Sequence, residues 1–158
     1  LIVASLSSFL AIIGMQIEFT SSVVRFRLRH LAAVRGTIVE IAKDKGFEVG
    51  YLHYVFCNTT SILKLNRKYL GHDYSTDIIT FPYTEKNVLV SDIYICVPQV
   101  ERNAREFGVP LSDEILRVVF HGVLHLVGYD DHTQLELERM RAAEDRYVSS
   151  CKAKINGR

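Results

Sequence analysis

Residues 111–132 read LSDEILRVVFHGVLHLVGYDDH, and the division of this run between helix and loop decides the fold. Leu116, Val119, Phe120, Val123, Leu124 and Val127 recur at steps of three and four, so one broad face of a helix is apolar and must be buried. Ser112 reads as the N-cap, with Asp113 and Glu114 in the first turn, where the helix dipole favours negative charge. A helix apolar over so wide a face belongs at the centre of a core. Gly128 lets the chain leave it. His121 and His125 stand four residues apart within the same run, which puts both imidazoles on one side of the helix.

Downstream, Thr133 and Glu136 have capping-box spacing and open a last helix through Leu137, Met140, Ala143 and Tyr147. Upstream, Pro98 starts a helix that Gly108 and Pro110 close. Before it, DIITFPY (77–83) and VLVSDIYICV (88–97) read as two strands, and the short connection from Thr84 to Asn87 predicts an antiparallel pair. A helix over 61–69 follows the strand EVGYLHYVFC (48–57), which is rich in β-branched and aromatic residues. Leu31, Val34, Ile38, Ile41 and Ala42 give a helix over 30–45 stopped by Gly46, and residues 16–20 alternate like a half-buried strand. The sum is a single α/β (α+β) domain, a mixed four-stranded sheet packed with about five helices.

A chain of 158 residues, 48% apolar, is long enough for one sizeable core and short for two domains. The formal net charge of +1 demands neither a polyanion nor a membrane surface. Its distribution is uneven: nine Lys/Arg against four Asp/Glu over residues 1–70, then ten against fourteen over 71–158. A basic half that meets a polyanion beside an acidic half that holds a cation has this form, and so do ordinary solvated faces. Cys57, Cys96 and Cys151 lack CxxC spacing and read as reduced cysteines of a cytosolic protein. Residues 1–14, LIVASLSSFLAIIG, are uncharged, shorter than the roughly 20 residues of a spanning helix, and lack the basic start of a secretory signal. They are expected to be an apolar extension outside the domain, upstream of a start at Met15, with the domain over 15–150 and a C-terminal tail over 151–158.

The chemistry concentrates in HGVLHLVGYDDH (121–132). Two histidines on one helix face close on a single cation, and a chain turned back at Gly128 brings Asp130, Asp131 or His132 toward them. Three ligands and an open position for water describe a catalytic zinc site; the expected set is His121 and His125 with Asp131 or His132 as the third. In the protease pattern HExxH the glutamate after the first histidine is the general base, and here that position is Gly122, which argues against peptide cleavage. Beyond the water no catalytic group is assigned. Asp77, Thr80 and Asp92, on or beside the strands, are candidates to line the cleft or to brace it.

The run HGVLHLVGYDDH, with LNRKYLGHDYSTDIITFPY (65–83) and VSDIYICV (90–97), closely resembles the YbeY family of metal-dependent endoribonucleases, over roughly Met15 to Tyr147. The resemblance implies a zinc-dependent hydrolase specific for single-stranded RNA, with one Zn2+ per chain, in the bacterial cytoplasm or an organelle derived from bacteria. It implies a role in ribosomal RNA processing at the 3′ end of the small-subunit RNA and in ribosome quality control. Its partners would be single-stranded RNA and the small ribosomal subunit, with neither DNA nor a membrane involved. The family's third histidine stands ten residues after the first; that register falls on Asp131 here, which makes Asp131 the first choice and His132 the alternative. Leu70 occupies the place of a family arginine associated with RNA cleavage, and Arg67, Lys68 or His72 would have to reach the phosphate instead. Two rivals are a zinc peptidase with its base elsewhere, and a non-catalytic ribosome-associated protein with a closed four-ligand site.

Overall fold

A computed structural model describes residues 14–157; of the apolar extension expected over 1–14, all but Gly14 lies outside the described residues. The strands are β1 (Gln16–Ser21), β2 (Glu48–Cys57), β3 (Ile78–Pro82) and β4 (Val88–Cys96). The helices are α1 (Leu31–Asp44), α2 (Thr59–Leu65), α3 (Val97–Phe107), α4 (Leu111–Leu126) and α5 (Gln134–Ile155). The sheet order is β1-β2-β4-β3, with β1, β2 and β4 parallel and β3 antiparallel to β4. The mixed four-stranded sheet and the five helices expected from periodicity are therefore present.

The register explains which side chains form the core. Leu52, Tyr54 and Phe56 stand opposite Ser91, Ile93 and Ile95, so one face of the sheet is apolar but for Ser91, whose hydroxyl donates to the Phe81 carbonyl at 3.0 Å. Val34, Ile38 and Ile41 of α1, Val119, Phe120 and Val123 of α4, and Met140 and Tyr147 of α5 close over it, all at most 1% exposed. Burying a side chain of this size contributes about 1.5–3 kcal/mol, so the face as a whole fixes α4 on the sheet. Two local contacts set its depth. The Tyr54 hydroxyl donates to the Val119 carbonyl at 3.1 Å. A Cβ built on Gly122 would lie 3.0 Å from Ile78 Cδ1 and 3.4 Å from Ile93 Cγ2, so only glycine lets the helix come so close.

The opposite face carries a smaller cluster, Cys57, Ile62, Ile79 and Cys96, under α2. Cys57, Cys96 and Cys151 are all buried free thiols, and burial, with Cys96 beside it, pushes the Cys57 thiol up to about 12. Among the described residues no helix is long and apolar enough to cross a membrane.

Three expected boundaries shift. Helix α4 begins at Leu111 with Pro110, not Ser112, as N-cap; the Pro110 carbonyl accepts from the Asp113 and Glu114 amides at 3.0 and 3.1 Å. Proline's fixed φ suits this entry, and the Ser112 hydroxyl turns to the Asp113 carboxylate. Asn58 is the cap of α2, its side chain accepting from Ser61 N at 2.9 Å, and a π-helical turn, Asn66–Leu70, continues that helix to Gly71. The residues expected as a tail from 151 continue α5 to Ile155, because Cys151 lies on its buried stripe.

Candidate metal centre

Helix α4 ends at Leu126, and its C-terminus closes through a Schellman motif. The Tyr129 amide donates to the Leu124 carbonyl at 3.0 Å and the Gly128 amide to the His125 carbonyl at 3.1 Å, with Gly128 at φ 103. Only glycine takes that φ without strain, and it turns the chain back along the helix. The consequence is chemical. The Tyr129 carbonyl accepts the His125 Nδ1–H at 3.1 Å and the Glu144 carboxylate of α5 accepts the His121 Nδ1–H at 2.7 Å. Both Nε2 atoms are left to face each other at 2.9 Å. Asp131 completes the group, its Oδ2 lying 3.8 Å from His121 Nε2 and 3.5 Å from His125 Nε2.

This donor set fits a cation. With each Nδ1 donating, each neutral imidazole directs a lone pair from Nε2 at its neighbour, and only a positive charge reconciles two lone pairs and a carboxylate in one place. Tetrahedral zinc with ligands at about 2.0–2.1 Å would separate its donors by about 3.3–3.4 Å, within the spread of the three edges seen here. The electrostatics agree. Burial alone would lower the His121 pKa, but Glu144, Asp77 and Asp131 outweigh it and hold the imidazole above its ordinary value. The same three carboxylates would also favour a bound cation. His132 stands apart: its ring pairs with Asp130 at 3.0 Å and its side chain is 81% exposed.

The buried acid Glu144 was not among the residues singled out from sequence. It bridges His121 to Arg117, whose Nη1 lies 3.0 Å from Glu144 and Nη2 2.6 Å from Asp145. The available signal was its place on the stripe Met140, Glu144, Tyr147, Cys151, where a charged residue must have a partner. A cleft of about 180 Å³ opens beside His121 and Asp131, lined also by Asp77, Glu114, Arg117 and Arg141. Asp77 is held in it by Asn103, which donates to its carboxylate at 3.1 Å. Thr80 is not in it: its methyl group is among the atoms beneath Gly122. Asp92 lies on the opposite face of the sheet from His121 and His125, 3.3 Å from His53. Gly122 faces the sheet, so a glutamate there would point into the core rather than toward a substrate.

Residues 16–152 match the protein family described as Endoribonuclease YbeY. The chain belongs to the YbeY family. A curated relative from Cytophaga hutchinsonii, named Endoribonuclease YbeY, is 41% identical over 134 residues, 84% of this chain and 94% of that protein. Another of that name, from Phocaeicola vulgatus, is 45% identical over 114 residues, 72% of this chain and 83% of its own length. The solution structure of TM1509 from Thermotoga maritima shares the fold, with a TM-score of 0.64 at 30% identity over 89% of this chain and 93% of that one. The residues that the YbeY resemblance singled out for RNA lie together on the π-helical turn and the loop after it. Arg67 is tied to Asp73, Lys68 sits 5.0 Å above the Tyr69 ring, Leu70 is exposed, and His72 stacks on Tyr74 at 5.0 Å.

Proposed function

We propose that this chain is a zinc-dependent endoribonuclease acting on single-stranded RNA, with one zinc held by His121, His125 and Asp131. The observation that carries the proposal is the pair of Nε2 atoms turned on the Asp131 carboxylate while both Nδ1 atoms are engaged elsewhere. Family membership supplies the reaction class: the relatives are named endoribonucleases. Bound there, the zinc would supply Lewis acidity, polarising a phosphate oxygen and activating water or a ribose 2′-hydroxyl. The protein holds the two rings through Glu144 and the Tyr129 carbonyl, and it lines the adjoining cleft with Arg117 and Arg141, whose charge opposes that developing on phosphate. Arg117 is already engaged by Glu144 and Asp145, which leaves the exposed Arg141 as the freer cation. Ribosomal RNA processing at the small-subunit 3′ end, ribosome quality control and a cytoplasmic location belong to the same proposal.

Purified chain incubated with single-stranded RNA and with unfolded protein, each with and without chelator, tests it. RNA cleavage that chelator abolishes and zinc restores is expected; cleavage of the protein substrate alone would refute it. His125→Ala should abolish cleavage with the fold intact, whereas loss of folding would favour a structural metal. Among the described residues the centre offers three donors rather than four, which supports an open coordination position.

A further inference from the structure

The six residues 69–74, ahead of β3, form a turn that carries the rings of Tyr69, His72 and Tyr74. Tyr69 and Tyr74 are 56% and 59% exposed, so two aromatic rings stand in solvent on one short segment. His72 and Tyr74 lie nearly parallel, at 18°, and a hydrogen bond of 3.0 Å between the Tyr74 hydroxyl and His72 Nδ1 keeps them so. The Tyr69 ring stands on edge to Phe81 at 5.4 Å, and Phe81 on edge to Tyr94 at 5.8 Å, which braces Tyr69 against the sheet. The turn is built to be rigid. Asn66, only 1% exposed, donates to the Tyr74 carbonyl at 2.7 Å and accepts the His72 amide on its own carbonyl at 3.3 Å, and Gly71 provides the left-handed corner at φ 67.

We infer that this turn is a stacking shelf for unpaired nucleobases, with Tyr69 and the His72–Tyr74 pair as its faces; the inference rests on the ribonuclease proposal and specifies how the strand is held. Two observations favour a nucleic acid. Lys64 and Lys68 are exposed on the same segment with no carboxylate partner among the described residues, so the shelf has cations for phosphates beside rings for bases. Tyr74 also precedes Asp77 by three residues, so its backbone is within about 11 Å of the side of the cleft that faces His121 and Asp131. An RNA strand that crosses the metal centre and continues around the edge strand β3 would reach the shelf, whose Tyr69 lies with Phe81 on the face away from α4. Stacking of this kind reads no particular base, because every base has a π-face.

The test is binding and cleavage of a short labelled single-stranded RNA by the full chain carrying Tyr69→Ala, Tyr74→Ala or both. Each single change should weaken binding and raise KM by about five- to tenfold, the low end for loss of one base–aromatic stack, with kcat nearly unchanged. Tyr69→Phe should retain stacking, and Leu135→Ala, which removes an equally exposed apolar side chain on α5, should have no effect. An abasic nucleotide walked along the strand should, at one position, weaken the wild type and abolish its advantage over Tyr74→Ala. Equal losses for abasic and intact RNA at every position, unchanged binding by the alanine variants, or a fall in kcat at constant KM would overturn the shelf while leaving the ribonuclease proposal standing. Failure of the wild type to bind or cut RNA overturns both. Capture of a proline-rich peptide that competes with RNA on wild type but not on the alanine variants would reassign the turn to a protein partner.

Discussion

Removing Glu144 should weaken the metal centre from behind. Its carboxylate is 5% exposed, accepts from His121 Nδ1 at 2.7 Å and from Arg117 Nη1 at 3.0 Å, and so performs two tasks with two oxygens. Glu144→Ala leaves His121 without the acceptor that fixes its tautomer and orientation, and losing such a support typically lowers metal affinity about 10–100-fold. The same change strands part of Arg117. Breaking a buried ion pair from one side costs about 3–5 kcal/mol, but Arg117 retains Asp145 at 2.6 Å and a side chain that is 30% exposed, so the low end, about 3 kcal/mol, is expected. Glu144→Gln separates the two effects: its amide oxygen can still accept from His121, while the charge facing Arg117 is gone. Zinc competition against a chromophoric chelator gives the first quantity and urea unfolding of the chelator-treated protein the second. Alanine should lose both metal affinity and stability, and glutamine mainly stability. Wild-type zinc affinity in Glu144→Ala would show that His121 needs no such support and that Glu144 does not position it.

Three further outcomes follow from the geometry. Burial, with Asp77 and Glu144 nearby and against the pull of Arg117 and Arg141, holds the Glu114 carboxyl above its ordinary value of 4.5. The folded state then keeps that proton more tightly than the unfolded chain, so the stability it confers is present below about pH 4.5 and lost as pH rises through the raised value. Melting temperatures of Glu114→Gln and wild type should converge in acid, with the variant the more stable near neutrality; parallel curves would contradict this. Thr133→Ala removes the hydroxyl that accepts from the Glu136 amide in the capping box and should cost about 1 kcal/mol in denaturant unfolding, with zinc affinity little changed. Tyr54→Phe deletes the buried hydroxyl on the Val119 carbonyl and should cost about 1–1.5 kcal/mol without altering the fold, as circular dichroism would check.

Much of the fold was legible because period and burial coincide. The stripe of α4 and the β-branched run of β2 each point one way, and the short 84–87 connection fixed β3 against β4 as an antiparallel pair. Helix ends were less legible. Ser112 has the better capping side chain, but Pro110 already supplies the backbone geometry one residue ahead of the first helical turn, and propensity yields to it. At the candidate metal centre the local part was readable: the shared helix face of His121 and His125 by spacing and the return of the chain by Gly128, while the preference for Asp131 came from the YbeY resemblance. What was not readable lay across the fold. Glu144 meets His121 over 23 positions and Asp77 shares its cleft over 44, distances that no spacing rule covers. Nor does spacing separate Asp131, whose carboxylate lies 3.5 Å from His125 Nε2, from its neighbour His132, whose ring pairs with Asp130.

Gly122 ties the centre to the interior in a way that makes the two hard to evolve separately. Gly122, next to the proposed ligand His121, has no side chain, and the methyl groups of Ile78 and Ile93 fill the space it leaves. Any drift in those two isoleucines, a lost methylene or an added one, is therefore passed straight to the imidazole on the adjoining residue. Conservative exchanges deep in the sheet should announce themselves as leakage of the ion well before they register as a loss of structure.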